Sequence, residues 1–373
     1  MTSTPCSTHS ISPTPAVALS RLTLQNFRCF AHQELQIVKP QLLVIGPNGA
    51  GKTSLLEAIY YVCYAQSFKT KYSRQMIKQD SSGCSIRLNI ETEREQHDIL
   101  VGMTASKKIL KIDGQAVSNH EKVAPLFSCA TLTQEDMQLI AAGPERRRFF
   151  LNQNQFLGDA SWLELARRYR NVLEQRNSLL SHKQVALDQL ELWSQQLWQL
   201  SHKIQHWRQQ FIIELNAICQ RLLTEFIPEL QGDITLVYKP AGNCHAMDFA
   251  EFATCILPNI VAKEKALCRT MFGAHLDDFQ IILKSRCARS FASRGEQKLL
   301  TLLLKTAALC THQRNGRPIS CLLIDDFLTD LDPLRIAKCQ AIIDHLRTQT
   351  IITLPILQRD LFPPHVQYQE VLL

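Results

Sequence analysis

The chain lacks the features that would tie it to a membrane or to an oxidising compartment. No apolar run reaches the ~18 residues of a membrane-spanning helix. The 13 cysteines include no C-x-x-C pair, and several, such as Cys63, Cys321 and Cys339, sit in apolar stretches. That pattern reads as reduced thiols in a cytoplasmic protein, not as disulfides or zinc ligands. The first 17 residues, MTSTPCSTHSISPTPAV, carry no Lys, Arg, Asp or Glu. With neither a basic n-region nor an apolar h-region they are no secretory signal. They read as a disordered extension, or as a start codon assigned too early. Between Gly158 and Pro228 there is no glycine and no proline, which excludes a turn-rich β region there.

What is present suits a soluble globular protein. The 373 residues are 45% hydrophobic, and at ~100–200 residues per domain two or three domains are expected. A net charge of +7 and a pI near 8.8 lean weakly towards polyanionic partners such as nucleic acid.

Periodicity sets out the elements. Leu22 and Leu24, then Leu35 and Ile37, alternate with polar residues as strands do. A short buried strand over 42–45 precedes a glycine-rich loop, and 54–65 reads as a helix. Further alternation at Ile86, Leu88 and Ile90, at Ile99, Val101 and Met103, and at Leu110 and Ile112 before Asp113-Gly114 predicts an antiparallel meander. Leucines and aromatics at helical spacing from Leu163 to Phe211 predict a helical hairpin turning near Ser181 to Ala186, with the aromatics in its core. After Gly273 come a strand (279–283), a helix (295–310), a strand (320–324) ending in Asp325-Asp326, a helix (334–346) and a strand (350–354). The α/β core therefore reads as split by a helical insertion.

Three motifs carry chemistry. GPNGAGKTS, residues 46–54, fulfils G-x-x-x-x-G-K-T. Its glycines, Gly46, Gly49 and Gly51, with Pro47, Asn48 and Ala50, let backbone N–H groups face phosphate oxygens. Lys52 would reach the β- and γ-phosphates of ATP, and Thr53, beside Ser54, would ligate Mg²⁺. Without the strand before it and the helix after it, the loop would be a mere glycine-rich turn. CLLIDD places Asp325 at the end of a buried strand to help hold Mg²⁺, and Asp326 to polarise the attacking water. Alone, the pair would be a solvated strand end. SFASRGEQKLL puts Ser293, Gly295 and Glu296 at the start of an apolar helix. That is either an anion site or a plain cap, with Ser293 as N-cap and Glu296 at N3.

Taken together, the chain resembles the RecF family of DNA repair and recombination proteins from about Ala18 onward. The residues that carry the resemblance are LTLQNFRCF (22–30), the P-loop with YYVCYAQSFKT, GPERRRFFLN (143–152), RYRNVLEQRNSLL (168–180), GAHLDDFQI (273–281), SRGEQKLL and LLIDDFLTDLD. The resemblance implies an α/β fold, an ABC-type P-loop ATPase head with an inserted α-helical lobe, related to SMC heads. Residues 18–132 would be the first half of the ATPase lobe, 133–262 the inserted lobe and 263–373 the returning half. It implies slow, DNA-stimulated hydrolysis of ATP and an ATP-dependent homodimer on DNA. In that dimer Ser293, Gly295 and Glu296 would close the partner's ATP, and Asp332 would lie at the interface. RecO and RecR would be partners in loading RecA at single-strand gaps. Glu296 departs from the family's Gln, Gln66 from a common basic residue, Ala274 and Leu276 from a Pro and an Arg, and TLPIL (353–357) from a Ser/Thr-rich strand end. These departures bear on hydrolysis and DNA contact more than on ATP binding.

Basic clusters offer sequence-independent phosphate contacts: Arg146-Arg147-Arg148, Arg167-Arg168-Arg170, Lys69 with Lys71, and Lys284-Arg286-Arg289. Each singly is equally a solvated face. Two other classes stay open: a soluble ABC ATPase subunit of another complex, and a DNA-binding module in which ATP is structural. A metal-dependent nuclease would need a second acidic cluster, which the sequence does not offer.

Overall fold

A computed structural model describes residues 17–373 apart from 71, 119, 160, 183–186, 318, 330, 347 and 362–367. The expected extension therefore lies outside the described residues except for Val17. In chain order the elements begin with β1 (Val17–Phe27), β2 (Phe30–Gln36), β3 (Gln41–Ile45) and α1 (Lys52–Tyr64). Then come β4 (Gly83–Thr92), β5 (Gln96–Thr104), β6 (Lys108–Ile112), β7 (Gln115–Ala116) and β8 (Cys129–Thr133). The middle holds α2 (Gln138–Ala141), α3 (Pro144–Gly158), α4 (Trp162–Leu180), α5 (Leu187–Phe226), β9 (Ile234–Lys239), α6 (Phe249–Cys255) and α7 (Leu257–Leu267). It continues with β10 (Asp278–Leu283), β11 (Arg286–Cys287), α8 (Ala288–Phe291) and α9 (Arg294–Arg314). The chain ends with β12 (Cys321–Asp325), α10 (Pro333–His345), β13 (Gln349–Leu354) and β14 (Tyr368–Leu372).

Two compact units form, one from residues up to 134 together with those from 318 on, the other from 135–317. The first contains a parallel sheet ordered β14-β3-β13-β12-β8 and an antiparallel sheet ordered β2-β1-β4-β5-β6-β7. The alternating residues explain the second sheet. Leu22, Leu24, Ile86, Leu88, Ile99 and Val101 bury their side chains in one core with Leu42 and Val44 of β3 and Leu55 and Ile59 of α1. In the parallel sheet alternation gives way to nearly continuous apolar runs, as in QLLVI and CLLI, because both faces are covered. The β6–β7 turn uses Asp113 and Gly114 at φ 51° and 78°, the pairing that a tight hairpin favours.

The second unit is built on the expected pair of helices, α4 and α5, which pack together; of the turn expected between them, 183–186 lie outside the described residues. Its glycine- and proline-free sequence lets α5 run for 40 residues. The expected boundary at 262 is not where this unit ends. β10 pairs with β9 from Asp278↔Lys239 to Leu283↔Ile234, and α9 packs against α5. Residues 263–317 therefore belong with the helical unit. The periodicity did not reveal β9, β8 or β14.

Charge organises this unit as much as apolar packing does. Arg176 and Glu264, both fully buried, form a two-pronged pair at 3.0 and 2.6 Å, and Thr270 accepts from the same guanidinium at 2.8 Å. Asp277, also fully buried, accepts from Gln205 (2.7 Å), Arg208 (2.6 Å), Tyr238 (2.5 Å) and the Ala241 amide (2.9 Å). No helix among the described residues is long and apolar enough to cross a membrane. Removing one partner of a buried ion pair strands the other charge, at a cost of about 3–5 kcal/mol. Arg176→Ala is expected to lower unfolding free energy in denaturant by about that amount, whereas Arg176→Met combined with Glu264→Leu should cost far less.

Candidate nucleotide site

The site grows from the carboxyl ends of parallel strands, where α/β proteins place their ligands. β3 ends at Ile45 and the loop 46–51 follows. Gly49 and Gly51 have φ of 87° and 103°, in the left-handed region that glycine enters without strain. A Cβ on Gly51 would also come within 2.6 Å of Cys29 Sγ and of the Phe30 ring. α1 then begins at Lys52 with no capping side chain and no acidic residue in its first turn. Its leading N–H groups and the positive end of its dipole are left for an anion.

Lys52 is buried, and its ammonium donates to the carbonyls of Gly46 (2.9 Å) and Pro47 (3.2 Å). Thr53 Oγ1 donates to Asp325 Oδ1 at 2.9 Å, joining the start of α1 to the end of β12. β13 runs between β3 and β12, so Thr353 reaches both aspartates. Its hydroxyl donates to Asp325 Oδ1 at 2.9 Å and accepts from the Asp326 amide at 2.9 Å. Burial pushes the Asp325 carboxyl above its usual range, and the neighbouring charge of Asp326 adds to this; the two threonine hydroxyls and Lys69 pull the other way. Asp326 itself sits at φ 45°. Among the described residues no group of three or more His, Cys, Asp or Glu forms a metal cluster. The donors nevertheless suit a hard cation. A carboxylate and a hydroxyl at one corner match a magnesium ion that takes its other oxygens from phosphates and water.

A cleft of about 540 Å³ opens beside the loop, lined among others by Arg28, Asn48, Lys52, Lys69, Gln75 and Asp326. Sequence reasoning missed three members of this neighbourhood. Thr353 stands out in the sequence only as part of a departure, although its hydroxyl links the acids. Gln134, in the turn after β8, donates to the Asp326 carbonyl at 3.0 Å. The strand before it, β8, carries no legible pattern, so the sequence offered no signal for it. Arg28, legible only as part of a strand motif, lines the cleft.

The other expected residues fall as follows. Ser293 and Glu296, in the second unit, form a complete capping box: Ser293 Oγ accepts from the Glu296 amide at 3.3 Å, and Glu296 accepts from the Ser293 amide at 2.8 Å. Asp332 caps α10 by accepting from the Arg335 amide at 2.9 Å. Of the arginine trio only Arg146 is exposed; Arg147 is buried against Asp278 at 2.7 and 3.1 Å, and Arg148 donates to the Asp277 carbonyl at 2.9 Å. Arg147 is therefore a structural cation and not a DNA contact, because its charge is spent inside the fold. Lys69 lines the nucleotide cleft instead of a separate surface. Lys71 lies outside the described residues.

A family model described as the RecF/RecN/SMC N-terminal domain matches residues 18–359. The DNA replication and repair protein RecF of Sodalis glossinidius (strain morsitans) is 31% identical over 324 residues, covering 85% of this chain and 86% of its own. The chain belongs to the RecF family. Its mixed α/β architecture is that of the RecF/SMC head. A solved structure of the recombination mediator protein RecF with ATP, in the RecFOR pathway, superposes with a TM-score of 0.81 at 22% identity over 97% of each chain. An Smc head bound to the C-terminal winged-helix domain of ScpA does so at 0.52 and 12% identity, covering 92% of this chain and 90% of that one.

For this RecF-family chain the raised Asp325 pKa has a definite sign. A carboxyl whose folded-state pKa lies above its unfolded value disfavours folding at pH above that folded pKa, and the penalty fades as pH falls through it. Asp325→Asn should thus raise the thermal midpoint of the nucleotide-free protein at neutral pH. The gain should shrink towards acid pH, as read by calorimetry across a pH series.

Proposed function

We propose that the chain is an ATP-dependent DNA-binding protein of recombinational repair and replication-fork maintenance. It dimerises on DNA with ATP sandwiched between subunits, hydrolyses the nucleotide slowly, and helps load RecA at single-strand gaps with RecO and RecR. The observation that carries this reading is the Thr53–Asp325 contact beside an uncapped α1 N-terminus. The names of its relatives, and the ATP recorded in its structural neighbour, support it.

In this reading backbone N–H groups of Gly49 to Thr53 bind phosphate oxygens, and Lys52 exchanges its loop carbonyls for the β- and γ-phosphates. Thr53 and Asp325 would hold Mg²⁺, which when bound neutralises charge on the phosphates. Asp326, fixed through its backbone by Thr353, orients the attacking water. Ser293 and Gly295 would meet the nucleotide of the partner subunit, with Asp332 at the interface. Exposed cations such as Arg146, Arg167, Arg168 and Arg289 would give DNA affinity that falls as salt rises.

The capping box favours one second reading. Ser293 and Glu296 already satisfy each other, as they would in a DNA-binding module that holds ATP without turning it over. Particle mass by light scattering separates the two, measured without nucleotide, with ATP and Mg²⁺, and with duplex DNA added. Dimers are expected only with ATP, longest-lived in Asp326→Asn and lost in Lys52→Ala and Ser293→Arg. A chain that binds ATP and DNA yet remains monomeric overturns the sandwich and leaves the module.

A further inference from the structure

Glu57 projects from α1 about one turn after Lys52 and Thr53, and it is fully buried. A buried carboxylate must have its oxygens satisfied, and here they are. Arg28 donates to Oε2 through Nε (2.8 Å) and to Oε1 through Nη2 (2.5 Å), and the Ser67 hydroxyl donates to Oε1 as well. Ser67 Oγ in turn accepts the amides of Lys69 (2.9 Å) and Thr70 (3.0 Å). Thr70 donates its hydroxyl to the Gln75 side chain, and the Gln75 carbonyl accepts from Arg28 Nη1 at 2.8 Å. The circuit closes on itself: Glu57, Ser67, Thr70, Gln75, Arg28 and back to Glu57. Arg28, Lys69 and Gln75 line the nucleotide cleft, whereas Glu57 and Ser67 do not.

We infer that Glu57 and Ser67 are positioning residues, which fix Lys69 in the cleft wall against the helix that carries Lys52 and Thr53, so that Lys69 meets the terminal phosphate of a bound nucleoside triphosphate. The inference rests on the nucleotide reading proposed above. The placement of Lys69 points it at that end of the cleft: it shares the lining with Thr53 and Asp326. A loop lysine alone is a flexible point charge with several rotatable bonds. Anchoring the backbone on both sides of it by one serine hydroxyl fixes where that side chain starts before the ligand arrives, and preorganisation of this kind raises affinity.

Glu57→Ala would strand the Arg28 charge and endanger the fold, so the decisive variants lie at Ser67, which is only half-buried. ATP and ADP affinities with Mg²⁺ are measured by titration calorimetry on the full chain, and the nucleotide-free thermal midpoint is recorded alongside. Ser67→Ala is expected to weaken ATP about tenfold, the size of one charge-assisted hydrogen bond, and ADP by much less. Lys69→Ala should do the same, the double variant should lose little more, and Ser67→Thr should restore the preference for ATP. Equal weakening of ATP and ADP by Ser67→Ala, or full additivity with Lys69→Ala, overturns the positioning role while leaving the nucleotide site intact. Wild-type protein that binds neither nucleotide overturns the nucleotide reading itself, and this inference with it.

Discussion

The register of three parallel strands holds the site together. Asp325 of β12 lies level with Thr353 of β13, and Leu354 lies level with Ile45 of β3. Parallel pairing points all three carboxyl ends the same way, so the start of α1, just past the loop after β3, and the acid that ends β12 meet in one hydrogen bond. A slip of one residue would turn Thr353 into the sheet face and leave Asp325 without its second hydroxyl. The carboxyl is kept at an energetic disadvantage, desolvated and beside a second aspartate. That disadvantage is what a cation at this corner would relieve.

The two glycine-bearing helix starts follow opposite plans. α1 leaves its first amides uncapped behind Gly51, while α9 has its first turn closed by Ser293 and Glu296. The first arrangement favours a ligand in place of a cap. The second is self-satisfied in the single chain, and a phosphate arriving there would have to compete with a carboxylate. In the proposed dimer the Glu296 position would bear on assembly more than on the binding of nucleotide by one chain.

In the second unit, buried charge sets the arrangement. The carboxylates of Asp277 and Glu264 each gather donors from several elements, and these contacts tie α4, α5, β9 and the segment before β10 together. His275, packed under Tyr169, has its imidazole held down to about pKa 4 by burial, so it stays neutral there. The arginines that resemble a DNA patch belong partly to this network, which is why a basic run in the sequence overstates the exposed charge.

Much of the fold is legible in short-range patterns. The period-2 alternation of Leu22, Leu24, Ile86, Leu88 and Ile99 specifies the antiparallel sheet. The glycine- and proline-free stretch specifies the long hairpin, and the spacing of Gly46, Gly51, Lys52 and Thr53 specifies the loop, because these signals are local. Other features are beyond sequence reading. β9 and β14 carry weak patterns and exist through their partners, β10 and β3. The allegiance of 263–317 depends on long-range pairing, and so does the circuit from Glu57 through Ser67 to Arg28. The sequence determined most of the elements and the place of the glycine-rich loop, since helix period, strand period and glycine conformation act within a few residues. Only the tertiary structure decided that Thr353 bridges the two acids, that Arg147 is spent on Asp278, and that Lys69 belongs to the cleft. Those outcomes depend on distances between residues far apart in the chain.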